Sequence, residues 1–244
     1  MQAQVKKHHH HLIYKMRWHM LVTVLLVIMP VIFFLLFAKI TNITAYTLFI
    51  DIGISLFRMF IAFIISITLG WILAVLFYQG KSATIALPIL DVLQSVPTFA
   101  AMPLAITYFG KSSMNVIFFL VLTMIWPICF SIISSLKLIK NEYQEAVTIY
   151  GLTGWKRTKY FTFPASMPGL ITGIIVGLGQ AWEVIIATEI IININTGLGP
   201  FFQGFADSPK ITMFGILGLL MIVFAINKIF ILPLLDKSHS LLEE

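Results

Sequence analysis

The sequence contains few charged residues, and this shortage limits the kinds of protein that it can form. Only 11% of its 244 residues are Asp, Glu, Lys or Arg, whereas 59% are hydrophobic. A typical soluble domain carries about 25% charged residues. Because so few charges cannot cover a surface that faces water, a soluble globular fold is excluded. The hydrophobic residues also occur in long blocks, which predicts a protein embedded in a lipid bilayer.

Cysteine and the common catalytic motifs are also scarce or absent. Cys129 is the single cysteine, which excludes a disulfide within the chain and a cysteine-based metal site. The sequence lacks a Walker A loop and the HExxH and GxSxG motifs. The run His8–His11 could bind a metal loosely, but we interpret it as incidental or tag-like. We therefore predict no catalytic residue, no metal site and no cofactor in this chain.

Six apolar segments are long enough to cross a bilayer, which takes roughly 20 residues per helix. They cover residues 20–38, 52–78, 83–109, 113–136, 165–190 and 211–232. Lipid offers no water to backbone groups, so each segment should be a helix. The sequence thus predicts one all-α polytopic membrane domain over residues 20–236, between terminal segments 1–19 and 237–244. A signal peptide is disfavoured at the first segment, because the apolar run is long and no cleavage site follows it.

The placement of Lys and Arg predicts the orientation in the membrane. If the N-terminus lies inside, the outside loops carry only Lys39, Lys111 and Lys210, and the other basic residues between the spans lie inside. This asymmetry is typical of membrane proteins, whose inner loops are rich in basic residues. We therefore expect both termini in the cytoplasm. The net charge of +6 reflects this pattern and does not indicate a nucleic-acid partner.

The longest inside loop, residues 137–163, is basic and contains glycine. Residues 142–150 are predicted to form a short helix, with Gly151 at its C-terminal cap. Residues 155–161 mix basic and aromatic side chains, which suits a membrane interface. Pro164 is expected to open the fifth span. The loop is thus either a well-anchored connection or a docking element for a cytoplasmic partner.

The loop resembles the EAA loop of binding-protein-dependent ABC importer permeases. The matching positions are Glu145, Ala146, Gly151 and Pro164, at the spacing of the family pattern. Val147, Phe161 and Phe163 replace the pattern's second Ala, its Ile and its Leu, and each remains small or apolar. Segments 55–80, 88–110 and 181–199 are similar to the same permease domain. The last two resemble its nitrate, sulfonate and taurine branch.

This resemblance implies the type I ABC importer permease fold and a function in transport. Two permeases, expected as a homodimer, would form the pathway in a bacterial cytoplasmic membrane, and two ABC ATPase subunits would bind inside. A solute-binding protein outside would deliver a small anionic solute such as nitrate, a sulfonate or taurine. ATP would be bound by the ATPase partner. The alternatives are a permease for another solute, such as a vitamin precursor, or a membrane-embedded enzyme.

The resemblance and the buried polar residues together suggest the sites. Glu145, Ala146, Gly151 and Pro164 are expected to couple the permease to the ATPase. Ser95 and Pro97 should break the third span beside the pathway, since proline removes a backbone donor and a break needs surroundings of protein or water. The further candidates for the pathway or its gate are Gln180, Trp182 and Glu183.

Two charged residues within spans form a separate hypothesis. Arg58 and Glu189 are each expected in the outer third of the bilayer, and buried charges usually find partners. We predict that they pair within about 4 Å and act structurally. The alternative is that each reaches the outer interface independently. Arg58 precedes a stripe of small residues in the second span, and the fifth span carries another. Each stripe is expected to pack closely on a neighbouring helix.

Overall fold

The computed structural model describes residues 24–25, 28–41, 44–139, 141–231 and 233. Within these residues every regular element is a helix, which confirms the predicted all-α class. The helices are α1 (Ile28–Thr41), α2 (Ala45–Phe77), α3 (Gly80–Gln94), α4 (Met102–Phe109), α5 (Ser113–Lys137), α6 (Asn141–Ile149), α7 (Gly154–Ile192), α8 (Leu198–Gly204) and α9 (Pro209–Ile226). The predicted terminal segments 1–19 and 237–244 lie outside the described residues.

Four of the described helices are long and apolar enough to cross a membrane. They are α2, α5, α7 and the stretch Pro209–Ile229, which includes α9. The pair α3 and Thr98–Phe109 is bent by 78° and makes a fifth span if the two parts are counted as one. This bend confirms the predicted break at Ser95–Pro97. The first predicted span begins outside the described residues, and its described part is residues 24–25 and the portion of α1 up to Ala38.

The described chain divides into two compact units. One contains the residues up to Phe49 together with Phe205–Pro233, and the other is Ile50–Gly204. In the first unit, α1 packs closely against α9 at Gly218. A Cβ atom on Gly218 would lie 2.7 Å from Phe33 Cε1, which is closer than atoms of that kind approach. A larger residue at this position would require the phenyl rings of Phe33 and Phe34 to shift.

In the second unit, α5 and α7 pack backbone to backbone along a stripe of small residues. A Cβ atom on Gly173 would lie 2.5 Å from Ile128 Cα, and one on Gly169 would overlap the backbone at Ser131. Small residues allow this approach in lipid, where helices gain little from apolar burial. The second predicted stripe, in α2, also packs on α5. There a Cβ atom on Gly70 would lie 2.9 Å from Ile128 Cγ2. The predicted close packing of both stripes is confirmed.

The start of α7 differs from the prediction. The fifth span was expected to begin near Pro164, after a separate short stretch, but α7 is continuous from Gly154. A π-helical turn, Thr158–Thr162, ends two residues before Pro164. Proline has no N–H to donate and its ring crowds the preceding turn, so a locally widened turn lets the helix continue. The amphipathic residues 155–161 are therefore the first turns of the long helix.

Candidate functional site

A cleft of about 590 Å³ lies in the second unit among α3, the turn after it, α5 and α7. The break between α3 and α4 forms one of its edges, because Gln94 and Thr98 line the cleft on either side of Ser95–Pro97. Ser95 and Pro97 are themselves exposed. The irregular backbone thus lies beside a cavity, where water can satisfy its polar groups.

The candidates on α7 do not all face this cleft. Gln180 and Glu183 line it and are exposed. Trp182, between them, is buried and does not line the cleft. The helical repeat explains the difference, because residues three apart share a face and the intervening residue does not. Two aromatic residues from α5, Trp126 and Phe130, also line the cleft, and neither was singled out from the sequence.

Arg58 and Glu189 form a buried ion pair. Arg58 Nη1 lies 2.6 Å from Glu189 Oε1, and the two side chains are 5% and 0% exposed. The guanidinium group also donates further hydrogen bonds. Its Nε donates to Ser113 Oγ at 3.0 Å, Nη1 to the carbonyl of Thr196 at 2.8 Å, and Nη2 to Thr196 Oγ1 at 3.0 Å. A buried charge is tolerated when it is paired and its remaining donors are satisfied.

Both oxygens of the Glu189 carboxylate accept hydrogen bonds as well. Ser55 Oγ donates to its Oε1 at 2.8 Å, and the amide of Gly199 donates to its Oε2 at 2.8 Å. Ser55 Oγ in turn accepts the amide of Leu198 at 2.9 Å. The ion pair thereby fastens the turn between α7 and α8 to helix α2.

This turn depends on its glycines. Gly197 has a φ of 117°, and its amide donates to Asp51 Oδ1 at 3.0 Å. A Cβ atom on Gly197 would lie 2.6 Å from both carboxylate oxygens of Glu189, and one on Gly199 would overlap the Glu189 side chain. Neither these glycines nor Asp51 and Ser55 were assigned a role from the sequence. A usable signal existed, because Asp51, Ser55 and Arg58 recur at helical spacing on one face of α2.

The short helix predicted between the fourth and fifth spans is confirmed as α6. It ends in a Schellman motif, in which the amide of Gly151 bonds the carbonyl of Thr148 at 3.0 Å and that of Leu152 bonds Val147 at 3.0 Å. Gly151 has a φ of 65°, the left-handed conformation that glycine adopts most readily. Glu145 is exposed and Ala146 is half-buried.

Two further contacts define how α6 is held and where Pro164 lies. Arg157 Nη2, in the first turn of α7, donates to Gln144 Oε1 in α6 at 2.7 Å. Pro164 lies ten residues after Gly154, within α7 rather than in the loop, and it is exposed. The four coupling candidates therefore occupy two elements, α6 with its cap and the early part of α7.

Comparison with known proteins places this chain in a family. Residues 66–238 match the family described as binding-protein-dependent transport system inner membrane component, and the chain belongs to it. A nitrate import permease protein from Synechocystis sp. is 30% identical over 183 residues, which are 70% of this chain and 65% of that protein. A taurine transport system permease protein from Escherichia coli is 25% identical over 186 residues, 74% of this chain and 66% of that protein.

A third relative aligns with a smaller share of this chain. A bicarbonate transport system permease protein from Synechococcus elongatus is 26% identical over 114 residues, 47% of this chain and 41% of that protein. The chain thus spans less than two thirds of the length of each of these three relatives. The family and the helical spans identify a multi-pass integral membrane protein of the ABC permease type.

Proposed function

We propose that this chain is the permease subunit of an ATP-driven importer in a bacterial cytoplasmic membrane. Two copies form the translocation pathway as a two-fold homodimer, the commonest closed assembly. Two ABC ATPase subunits bind on the cytoplasmic side and hydrolyse the ATP. A solute-binding protein on the outer side delivers the solute. The permease itself carries out no chemical step.

The exposed helix α6 is the single observation that carries this proposal. It spans only nine residues and lies between two helices long enough to cross a membrane. Its large apolar side chains are not covered, since Tyr143 and Ile149 are 59% and 83% exposed, and Tyr150, directly after it, is 82% exposed. A short helix with exposed apolar side chains suits a hydrophobic groove in a partner protein. The ATPase subunit is the partner that the family provides.

The structure of α7 supports a mechanical role for this docking helix. Arg157 at the start of α7 holds Gln144 of α6, and the same helix continues to Glu183, which lines the cleft. A helix moves largely as a rigid rod, so a displacement imposed on α6 would reach the cleft through α7. ATP-driven closure of the ATPase pair could thereby change which side of the membrane the cleft faces.

The proposed solute is small. The relatives named for nitrate, bicarbonate and taurine support a solute of this size range, such as nitrate, a sulfonate, taurine or a similar compound. A second candidate is a planar organic solute such as a vitamin precursor. The aromatic side chains of Trp126 and Phe130 in the cleft favour that alternative, because planar molecules stack on such rings.

Reconstitution tests the proposed function directly. The full chain is tagged, expressed with its candidate ATPase and binding protein, purified and placed in proteoliposomes. We expect the ATPase to co-purify and the binding protein's ligand to enter the vesicles only with ATP. A Walker A lysine variant of the ATPase provides the matched control and should co-purify without supporting uptake. Failure of any ABC ATPase to co-purify would contradict the proposal.

A further inference from the structure

The ionisable composition of the cleft bears on the charge of the solute. Glu183 is the one ionisable side chain among the described residues that line it, and no Lys or Arg is among them. Glu183 is exposed, and it has no salt-bridge partner among the described residues. A fixed negative charge that lines a cleft raises the local concentration of cations and lowers that of anions. The cleft is thus unfavourable for a simple inorganic anion.

The neighbouring amide adds to this acceptor character. Gln94, which lines the cleft, donates its Nε2 to Asp91 Oδ1 at 2.6 Å. Because an ionised carboxylate only accepts hydrogen bonds, the amide nitrogen must face Asp91. The oxygen of Gln94 is left as the acceptor that can serve a ligand. Glu183 acts on a ligand directly, and Asp91 acts through Gln94. Both acids therefore favour a ligand that donates hydrogen bonds.

The aromatic lining points to the same chemistry. Trp126 and Phe130 line the cleft and are half-buried, one turn apart on α5. The face of an aromatic ring attracts a cation, Trp most strongly, and such rings recognise ammonium groups in proteins. A carboxylate together with aromatic rings is the combination that binds organic cations. By contrast, simple oxyanions are usually bound by Arg, Lys or backbone amides.

We propose that the cleft admits a small organic solute that carries a positively charged nitrogen, as a cation or as the ammonium end of a zwitterion. Glu183 supplies the charge, Gln94 an acceptor, and Trp126 and Phe130 the aromatic faces. This proposal rests on the proposed transport function and narrows its substrate class. It replaces the sequence-based expectation of an anionic solute by a solute with an ammonium group.

Reactivity of a cysteine placed in the cleft tests the charge. In the Cys129→Ala background, Gln180→Cys is treated with a cationic and an anionic methanethiosulfonate reagent, in the full chain assembled with its ATPase. Residues three apart on a helix are about 5–6 Å from each other, so Glu183 acts strongly on both reagents. We expect the cationic reagent to react faster. Adding Glu183→Gln should lower the cation-to-anion rate ratio about fivefold or more, because removal of the charge affects the two reagents in opposite directions.

Asn195→Cys provides the matched control. Asn195 is exposed and follows the end of α7 at Ile192, about 13 Å along the helix from Glu183. This exceeds the screening length of about 8–10 Å in physiological salt. Glu183→Gln should therefore leave its rate ratio unchanged. An equal change at both positions would mean that the substitution acts through a general disturbance, and would overturn the proposal.

Protection by added solutes tests the ligand class. We expect choline or ethanolammonium at millimolar concentration to slow modification of the Gln180→Cys variant, and nitrate to have no effect. Protection by nitrate, or the absence of protection by both ammonium probes, would overturn the proposal. ATPase co-purification is measured on the same samples. If the ATPase is present and protection fails, only the substrate class is wrong, whereas its absence would contradict the transport function itself.

Discussion

Arg58 Nη1 lies 2.6 Å from Glu189 Oε1 across helices α2 and α7, and neither side chain has more than 5% of its surface exposed. The pair also binds the backbone of the turn after α7, through the carbonyl of Thr196 and the amide of Gly199. It is therefore a three-way junction, and its role is to fix the turn as well as to neutralise two charges.

Removing either partner of this pair should destabilise the protein strongly. Arg58→Ala or Glu189→Ala leaves an unpaired buried charge, which typically costs about 3–5 kcal/mol. We expect a clear fall in the thermal unfolding midpoint of the detergent-purified protein for each variant. The double variant should lose less than the sum of the two. Asp207→Asn, at an exposed acid, is the control and should unfold as the unaltered protein does.

Exchanging the two charges should restore only part of what each single change removes. In Arg58→Glu with Glu189→Arg, the pair is retained, but a guanidinium then faces the amide of Gly199 and the hydroxyl of Ser55, which donate to the present carboxylate. Transport and unfolding of the exchanged variant are compared with those of each single variant. Full recovery would show that the charges alone matter. No recovery would show that loss of the ion pair does not cause the defects of the single variants.

Substitution by alanine should have different effects on stability at two glycines of α7. Gly173→Ala places a Cβ atom 2.5 Å from Ile128 Cα, whereas a Cβ atom on Gly179 meets nothing within 4 Å. We expect Gly173→Ala to separate α5 from α7 and to cost about 1–3 kcal/mol, as overpacking does. Gly179→Ala should be neutral or slightly stabilising, since it reduces the freedom of the unfolded chain. Unfolding in detergent measures both, and equal effects would contradict the packing described here.

Gly151 should be sensitive to the shape of the residue that replaces it. Its φ of 65° strains a branched side chain, and a left-handed residue other than glycine costs roughly 1–2 kcal/mol. We expect Gly151→Val to weaken ATPase co-purification and uptake while membrane insertion survives. Gly151→Asn should have a smaller effect, because Asn tolerates this conformation. Normal uptake and co-purification in Gly151→Val would argue that the cap of α6 is not needed for coupling.

The membrane orientation predicted from the basic residues can be read by labelling. In the Cys129→Ala background, Lys156→Cys and Asn195→Cys are both exposed positions near opposite ends of α7. An impermeant thiol reagent added to intact cells should label Asn195→Cys alone, and Lys156→Cys only after the membrane is opened. Labelling of both in intact cells would contradict an inside position for α6.

The sequence was informative where one local rule decides the structure. The cap at Gly151 follows from glycine's access to positive φ, and the break at Ser95–Pro97 follows from the missing proline N–H. The pairing of Arg58 with Glu189 follows from the cost of leaving charges alone in lipid. In each case, a single residue type at a given position leaves few alternatives.

Other features could not be read from local rules. The continuity of α7 through Pro164 depends on a π-helical turn, which no residue pattern announces. The contacts of Asp51 and Ser55 with the turn at Gly197–Gly199 depend on how α2 and α7 pack, because those residues are more than 140 positions apart. Likewise, Trp126 and Phe130 could not be singled out from the sequence, because they belong to an apolar helix, where aromatic side chains usually only pack against their neighbours.

A disulfide crosslink between α6 and the ATPase would test the central claim most directly. Ile149→Cys and Tyr108→Cys, both in the Cys129→Ala background, are compared because the two native side chains are equally exposed, at 83%. Each is assembled with an ATPase that carries single cysteines along its candidate groove, and then oxidised. We predict that Ile149→Cys forms a permease–ATPase crosslink that changes in yield when ATP is added, and that Tyr108→Cys forms none. Absence of a crosslink from Ile149→Cys at every groove position would contradict docking through α6.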